Sequence, residues 1–139
     1  GLLHELGSLA MAKVEGSNYC SLVGRIGSRD QLERERRAYG FSHCDIGALA
    51  VQRWNLFPGA EETIQFHHDP LAAERLGFSA PVLRTVYLIA LTTSTLRPAE
   101  ADEGHRGTLL DRLGTNEDLV REEVNKAEAG TFEYLKNLQ

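Results

Sequence analysis

Four histidines and one glutamate fall where they could do chemistry together. His4 and Glu5 are adjacent near the start, His43 opens an apolar helical stripe, and His67 and His68 stand side by side before Asp69-Pro70. Imidazole nitrogens and a carboxylate oxygen form a donor set suited to Fe, Mn or Zn. A histidine sharing a stripe with Ile46 and Trp54 needs a polar partner once buried. If the helices that carry these residues pack together, three or four imidazoles and one carboxylate converge. Each also has a plainer reading. A His-Glu pair on a helix is commonly structural, paired histidines suit the negative end of a helix, and His43 beside Ser42 could assist a cap. No short ligand motif such as HExxH fixes the set by spacing. The candidate metal ligands are therefore His4, Glu5, His43, His67 and His68, with no catalytic or cofactor-binding residue assigned.

The elements that must position them are helical, since period-2 alternation is nowhere evident. Helix is expected over residues 2–13, and a short one over 19–26. Ser28 with Gln31 has the form of a capping box opening a polar helix through Ala38, which Gly40 stops. Ser42 with Asp45 opens the clearest helix, whose stripe is His43, Ile46, Gly47, Ala50, Val51 and Trp54. This stripe predicts a largely buried Trp54. Pro58 suits the first turn of a helix reaching about His68. A loop over 69–81 then leads to a helix over 82–96 with the stripe Val82, Val86, Ile89, Ala90 and Thr93. Residues 98–107 are polar and read as exposed loop. From about Asn116 a last amphipathic helix carries Val120, Val124, Ala127, Thr131, Leu135 and Leu138 on one face.

The chain has 139 residues, the usual span of one domain, of which 42% are hydrophobic and 25% charged. A net charge of -5 argues against general nucleic-acid binding. Arg34, Arg36 and Arg37 alternate with Glu33 and Glu35, which reads as a solvated helix face. Cys20 and Cys44 form no CxxC pair, and reduced thiols with a cytoplasmic location are expected. No apolar run is long enough for a membrane span, and the opening GLLHELG has no basic region of a signal peptide. Residues 2–12 are apolar nearly all round if helical, as in a helix buried on several sides. That implies a partner segment upstream of Gly1.

The stretch ERERRAYGFSHCDIGALAVQRWNLFPGAEETIQFHHDP, Glu33 to Pro70, resembles the central signature of HDOD domains, the output-module branch of the HD phosphohydrolase superfamily. It has the Glu-Arg pair, Gly40-Phe41-Ser42-His43, Asp45-Ile46-Gly47-Ala48, the Trp54-Asn55-Leu56 turn and the closing His67-His68-Asp69-Pro70. GLLHELG resembles the segment holding the superfamily's His-Asp doublet, and the likeness runs over about residues 1–93. It implies an all-α, HD-domain-like helical bundle lacking the family's N-terminal helical subdomain. Residues 1–97 would be the C-terminal part of an HDOD domain, 98–115 an exposed loop, and 116–139 an amphipathic helix packing on the bundle or on a neighbouring chain.

In active HD hydrolases, histidines and aspartates cradle metals that activate a water against a phosphoester. The resemblance puts His4 at the doublet histidine, Glu5 at its aspartate, His43 at the middle histidine, and His67 and His68 at the paired ones. Glu5 departs from aspartate, Ser8 stands at a lysine position, and Asp69-Pro70-Leu71 replaces the Gly-Tyr-Pro of the HD-GYP branch. The late metal-binding aspartate would fall near Ala90-Leu91, where no carboxylate is available. The resemblance thus implies a non-catalytic bacterial signal-transduction module working through contacts with a signalling partner or fused domain. No cofactor is expected, with Fe, Mn or Zn as the metals an intact histidine cluster could take. The alternative is an HD-GYP-like metal-dependent phosphohydrolase, a cyclic dinucleotide or nucleotide phosphodiesterase. Neither nucleic acid nor membrane is expected as a partner. A homo-oligomer could form through Leu2–Leu9 or the C-terminal helix, because exposed leucines favour association.

Overall fold

The computed structural model describes residues 3–24, 30–96 and 103–136. The fold is all-α. Among the described residues there are nine helices and no strand: α1 (Leu6–Glu15), α2 (Ser17–Val23), α3 (Gln31–Tyr39), α4 (His43–Trp54), α5 (Ala60–Phe66), α6 (Pro70–Arg75), α7 (Ala80–Leu96), α8 (Glu103–Leu113) and α9 (Glu117–Lys136). The chain divides into two compact units, Gly1–Val86 and Tyr87–Gln139.

In the first unit α4 is central, packed on α1 and on α5. Its start follows from local chemistry. Gly40, at φ 81°, ends α3 in the left-handed conformation that glycine adopts without penalty. Two residues on, Ser42 and Asp45 form a reciprocal capping box, Asp45 accepting from the Ser42 backbone N–H at 2.7 Å. Gly7 of α1 lies so close to α4 that a Cβ there would stand 1.8 Å from the His43 carbonyl oxygen. Gly47 faces the same crossing, where a Cβ would stand 3.5 Å from the Gly7 backbone nitrogen. Met11, Tyr19 and Val23 form one apolar cluster with Ile46 and Tyr39 against it, while Val51, Ala60 and Ile64 form another.

Several expectations are corrected here. The buried residues of α4 are His43, Cys44, Gly47, Ala48 and Val51, while Ile46 and Ala50 of the expected stripe are half-buried. Trp54 is 56% exposed, because it ends α4 where Asn55 reverses the chain and packing on α5 has stopped at Val51. Helix α1 buries only Gly7, Ser8 and Met11, and leaves Leu9 and Val14 exposed. Between Asp69 and Pro81 the expected loop contains α6, started by Asp69 accepting from the Ala72 N–H and by Pro70 in the first turn. Ser28 of the expected first capping box, and Leu2 and Leu138, lie outside the described residues.

In the second unit the expected loop 98–115 is corrected to helix over α8. Its polar sequence is organised by Arg106, which makes a two-toothed contact with Glu117 at 2.7 Å from both Nε and Nη2. The same guanidinium donates to the Leu91 carbonyl at 3.3 Å, to Thr95 at 2.7 Å and to Ser94. One side chain thus ties the end of α7, α8 and the start of α9 together, and a run that looks solvated becomes a helix. On α9 Val124 is buried and Val120 half-buried, as the amphipathic pattern requires, whereas Ala127 of the same expected face is exposed. No described helix is long and apolar enough to cross a membrane.

Candidate metal centre

Three short segments deliver the histidines. His4 and Glu5 occupy the turn leading into α1, His43 is the first residue of α4, and His67 and His68 follow α5 directly. The Gly7–α4 approach brings the first two together, and the α4–α5 packing adds the third. His43 Nε2 lies 3.1 Å from His68 Nε2 and 3.8 Å from a Glu5 oxygen. The His67 ring centroid is 4.2 Å from that of His68, 5.1 Å from His4 and 5.5 Å from His43. Glu5 stands 4.0 Å from His4 Nε2 and accepts from the Ser8 hydroxyl at 2.8 Å. All five residues singled out in the sequence therefore meet in one place.

Beneath them runs a buried polar network that sequence reasoning missed. Glu35, expected on a solvated face, is wholly buried. It accepts from the Tyr19 hydroxyl at 2.5 Å, from the Gln31 amide at 2.7 Å, and from the backbone N–H and Nδ1–H of His43 at 2.7 and 2.8 Å. Burial alone would raise this carboxyl. The hydrogen bonds from His43, Tyr19, the His43 backbone and Gln31 outweigh it and hold the group at about 2. Glu35 is therefore ionised, which places the His43 proton on Nδ1 and leaves a lone pair on Nε2. A signal was present: Gln31 and Glu35 are four residues apart, on one face of a helix.

Cys44 was also overlooked, because it sits in no cysteine motif. It follows His43 in the first turn of α4, and its Sγ is 3.6 Å from His43 Nε2 and 3.8 Å from His67 Nδ1. Burial, then the Glu35 charge, pushes its thiol well up. His67 Nδ1 donates to the Ile64 carbonyl at 2.7 Å, so its Nε2 carries the lone pair, and that buried nitrogen has no partner. Desolvation, with His68 next, lowers His67 to about 2 and keeps it neutral. His68 is lowered too, by burial and then by His43.

A family profile described as the HDOD domain matches residues 1–70. The chain belongs to the HDOD family. All five candidate ligands lie within the matched HDOD segment, as do Glu35, Gln31 and Cys44. No curated protein matches the chain, and no solved structure does.

The donors of this HDOD domain fit a metal ion. His43, Cys44, His67 and His68 each offer one ligand atom, and these atoms lie within 4.8 Å of one another. The outer nitrogens of His43 and His67 are held by a carboxylate and a backbone carbonyl, the arrangement that orients metal-ligating imidazoles. The unpartnered His67 Nε2 is the atom a cation would satisfy.

Proposed function

We propose that this HDOD chain is a non-catalytic bacterial signalling module, acting through contacts with a partner protein or a fused domain. The observation that carries this reading is the buried chain Glu5–Ser8–Gln31–Glu35–His43. Ser8, at the position where the active pattern has lysine, donates to Glu5 and lies 3.0 Å from the Gln31 amide. Gln31 and Tyr19 pass the network on to Glu35, which in turn fixes His43. These polar side chains are thus engaged with one another, holding α1, α2, α3 and α4 together.

A metal held by His43, Cys44, His67 and His68 would take all four donors from the protein and tie the start of α4 to the turn after α5. What these residues do themselves is orient one another in a dry interior: His43 is 0% and His67 3% exposed. Partner contact is supported by the apolar side chains left in water, Leu9 and Val14 on α1 and Trp54, Leu56 and Phe57 around the α4–α5 turn. The test is hydrolysis of a cyclic dinucleotide with added Mn or Fe. Background rates are expected. Robust turnover that disappears in His67→Ala would establish the phosphohydrolase instead.

A further inference from the structure

We infer that Cys44 is a metal ligand, completing with His43, His67 and His68 a closed three-nitrogen, one-sulfur site selective for zinc. The inference deepens the proposed function, resting on the reading that the HD-type cradle here is kept for structure rather than turnover.

Three observations lead to it. The first is spacing. A tetrahedral zinc ion bound at about 2.0–2.1 Å to nitrogen and about 2.3 Å to sulfur has nitrogen–nitrogen edges of about 3.3 Å and nitrogen–sulfur edges of about 3.6 Å. His43 Nε2 and His68 Nε2 are 3.1 Å apart, and Cys44 Sγ is 3.6 Å from the same His43 nitrogen. The second is protonation. Glu35 takes the Nδ1–H of His43 and the Ile64 carbonyl takes that of His67, so each ring keeps its Nε2 lone pair. His67 Nε2 is buried and otherwise unpartnered, which costs free energy that a cation would return. The third is donor chemistry. A buried cysteine can be a small hydrophobe, yet this sulfur lies against two imidazoles rather than in the apolar clusters.

A thiolate replaces a carboxylate as the anionic donor. Soft sulfur favours zinc over manganese or magnesium, which prefer oxygen. On binding, the S–H bond breaks, the sulfur–metal bond forms from the thiolate's electron pair, and the proton passes to buffer. The ion stays divalent and nothing is oxidised. Four protein donors around a tetrahedral ion leave no position for water, as in structural zinc sites. Glu5 and His4 border the set without being needed to complete it.

The test uses the full chain, stripped with a chelator and titrated with Co(II). One equivalent should produce the near-ultraviolet thiolate-to-cobalt charge-transfer band and the visible bands of a tetrahedral ion. Zinc should abolish both, and excess Mn should not. Cys44→Ser should remove the charge-transfer band and weaken zinc binding by about tenfold or more, with unchanged circular dichroism. Cys20→Ser leaves Cys44 as the sole thiol, so a band in that variant can come only from Cys44 even if Cys44→Ser does not fold. A Cys44→Ser spectrum identical to wild type overturns the inference, as does a wild-type chain that binds no cobalt. Hydrolysis by the zinc-loaded protein would defeat the non-catalytic reading while leaving the thiolate ligand in place.

Discussion

Glu35 carries a full charge away from water, and the donors around it set how the metal-free protein responds to acid. Its carboxyl is held at about 2 against an ordinary 4.5, so its stabilising contribution is complete above 4.5 and is lost as pH falls from there toward 2. His67 acts in the same direction over a higher window. Folded, it stays neutral down to about 2, whereas the unfolded chain takes up its proton below 6.5. Urea midpoints of the metal-free protein should therefore decline as pH drops below 6.5, and decline more steeply below 4.5. A flat profile between 6.5 and 4.5 would mean that His67 protonates in place. At pH 7, Glu35→Ala should cost about 3–5 kcal/mol, because it strips the partner from buried donors including the His43 ring. The site's histidines were legible because imidazole on an apolar stripe is conspicuous. Glu35 was not, since its neighbours Arg34, Arg36 and Arg37 give it the local pattern of a wet surface. Only the side Gln31 shares with it is buried.

Where helices cross, small residues decide. Alanine ordinarily favours a helix over glycine by about 1 kcal/mol. At Gly7 that gain is overwhelmed, because the new Cβ would meet the His43 backbone, which cannot swing aside. Gly7→Ala is expected to cost at least about 3 kcal/mol by chemical denaturation, at the upper end of overpacking penalties. Gly107 in α8 has nothing within 4 Å of a built Cβ, and Gly107→Ala should stabilise by about 0.5–1 kcal/mol. Equal effects at the two positions would show that the α1–α4 approach is looser than described. Trp54→Ala should cost less than about 1 kcal/mol, since over half of the side chain is already in water. The start of α4 was readable from Ser42, Asp45 and Gly40 because capping is local chemistry. Helix α6 had the same kind of signal in Asp69-Pro70, but six residues between a turn and a glycine read as loop. His43, Gly47 and Val51 were legible on that helix, but that its buried face also takes in Cys44 and Ala48 was not, because it depends on where α1 and α5 lie.

Taken over the whole chain, the histidine site and the Arg106 contacts belong to different compact units, Gly1–Val86 and Tyr87–Gln139. The family profile covers residues 1–70 and so lies wholly within the first. Nothing in the polar run after Leu96 announced a fold, because Arg106, which organises it, acts through partners distant in sequence: Leu91, Ser94, Thr95 and Glu117. Removing Arg106 leaves those acceptors to be rewetted. Glu117 is partly in water already, which moderates the loss to about 1–2 kcal/mol. Arg106→Ala should therefore speed amide hydrogen exchange in α8, in the first turns of α9 and in the last turns of α7. Amides of α1, α4 and α5 should keep their protection, and cobalt binding at the histidine site should be unchanged. If protection fell equally in both regions, the two units would open as one cooperative body, and a change around Arg106 would then reach the metal centre through global stability.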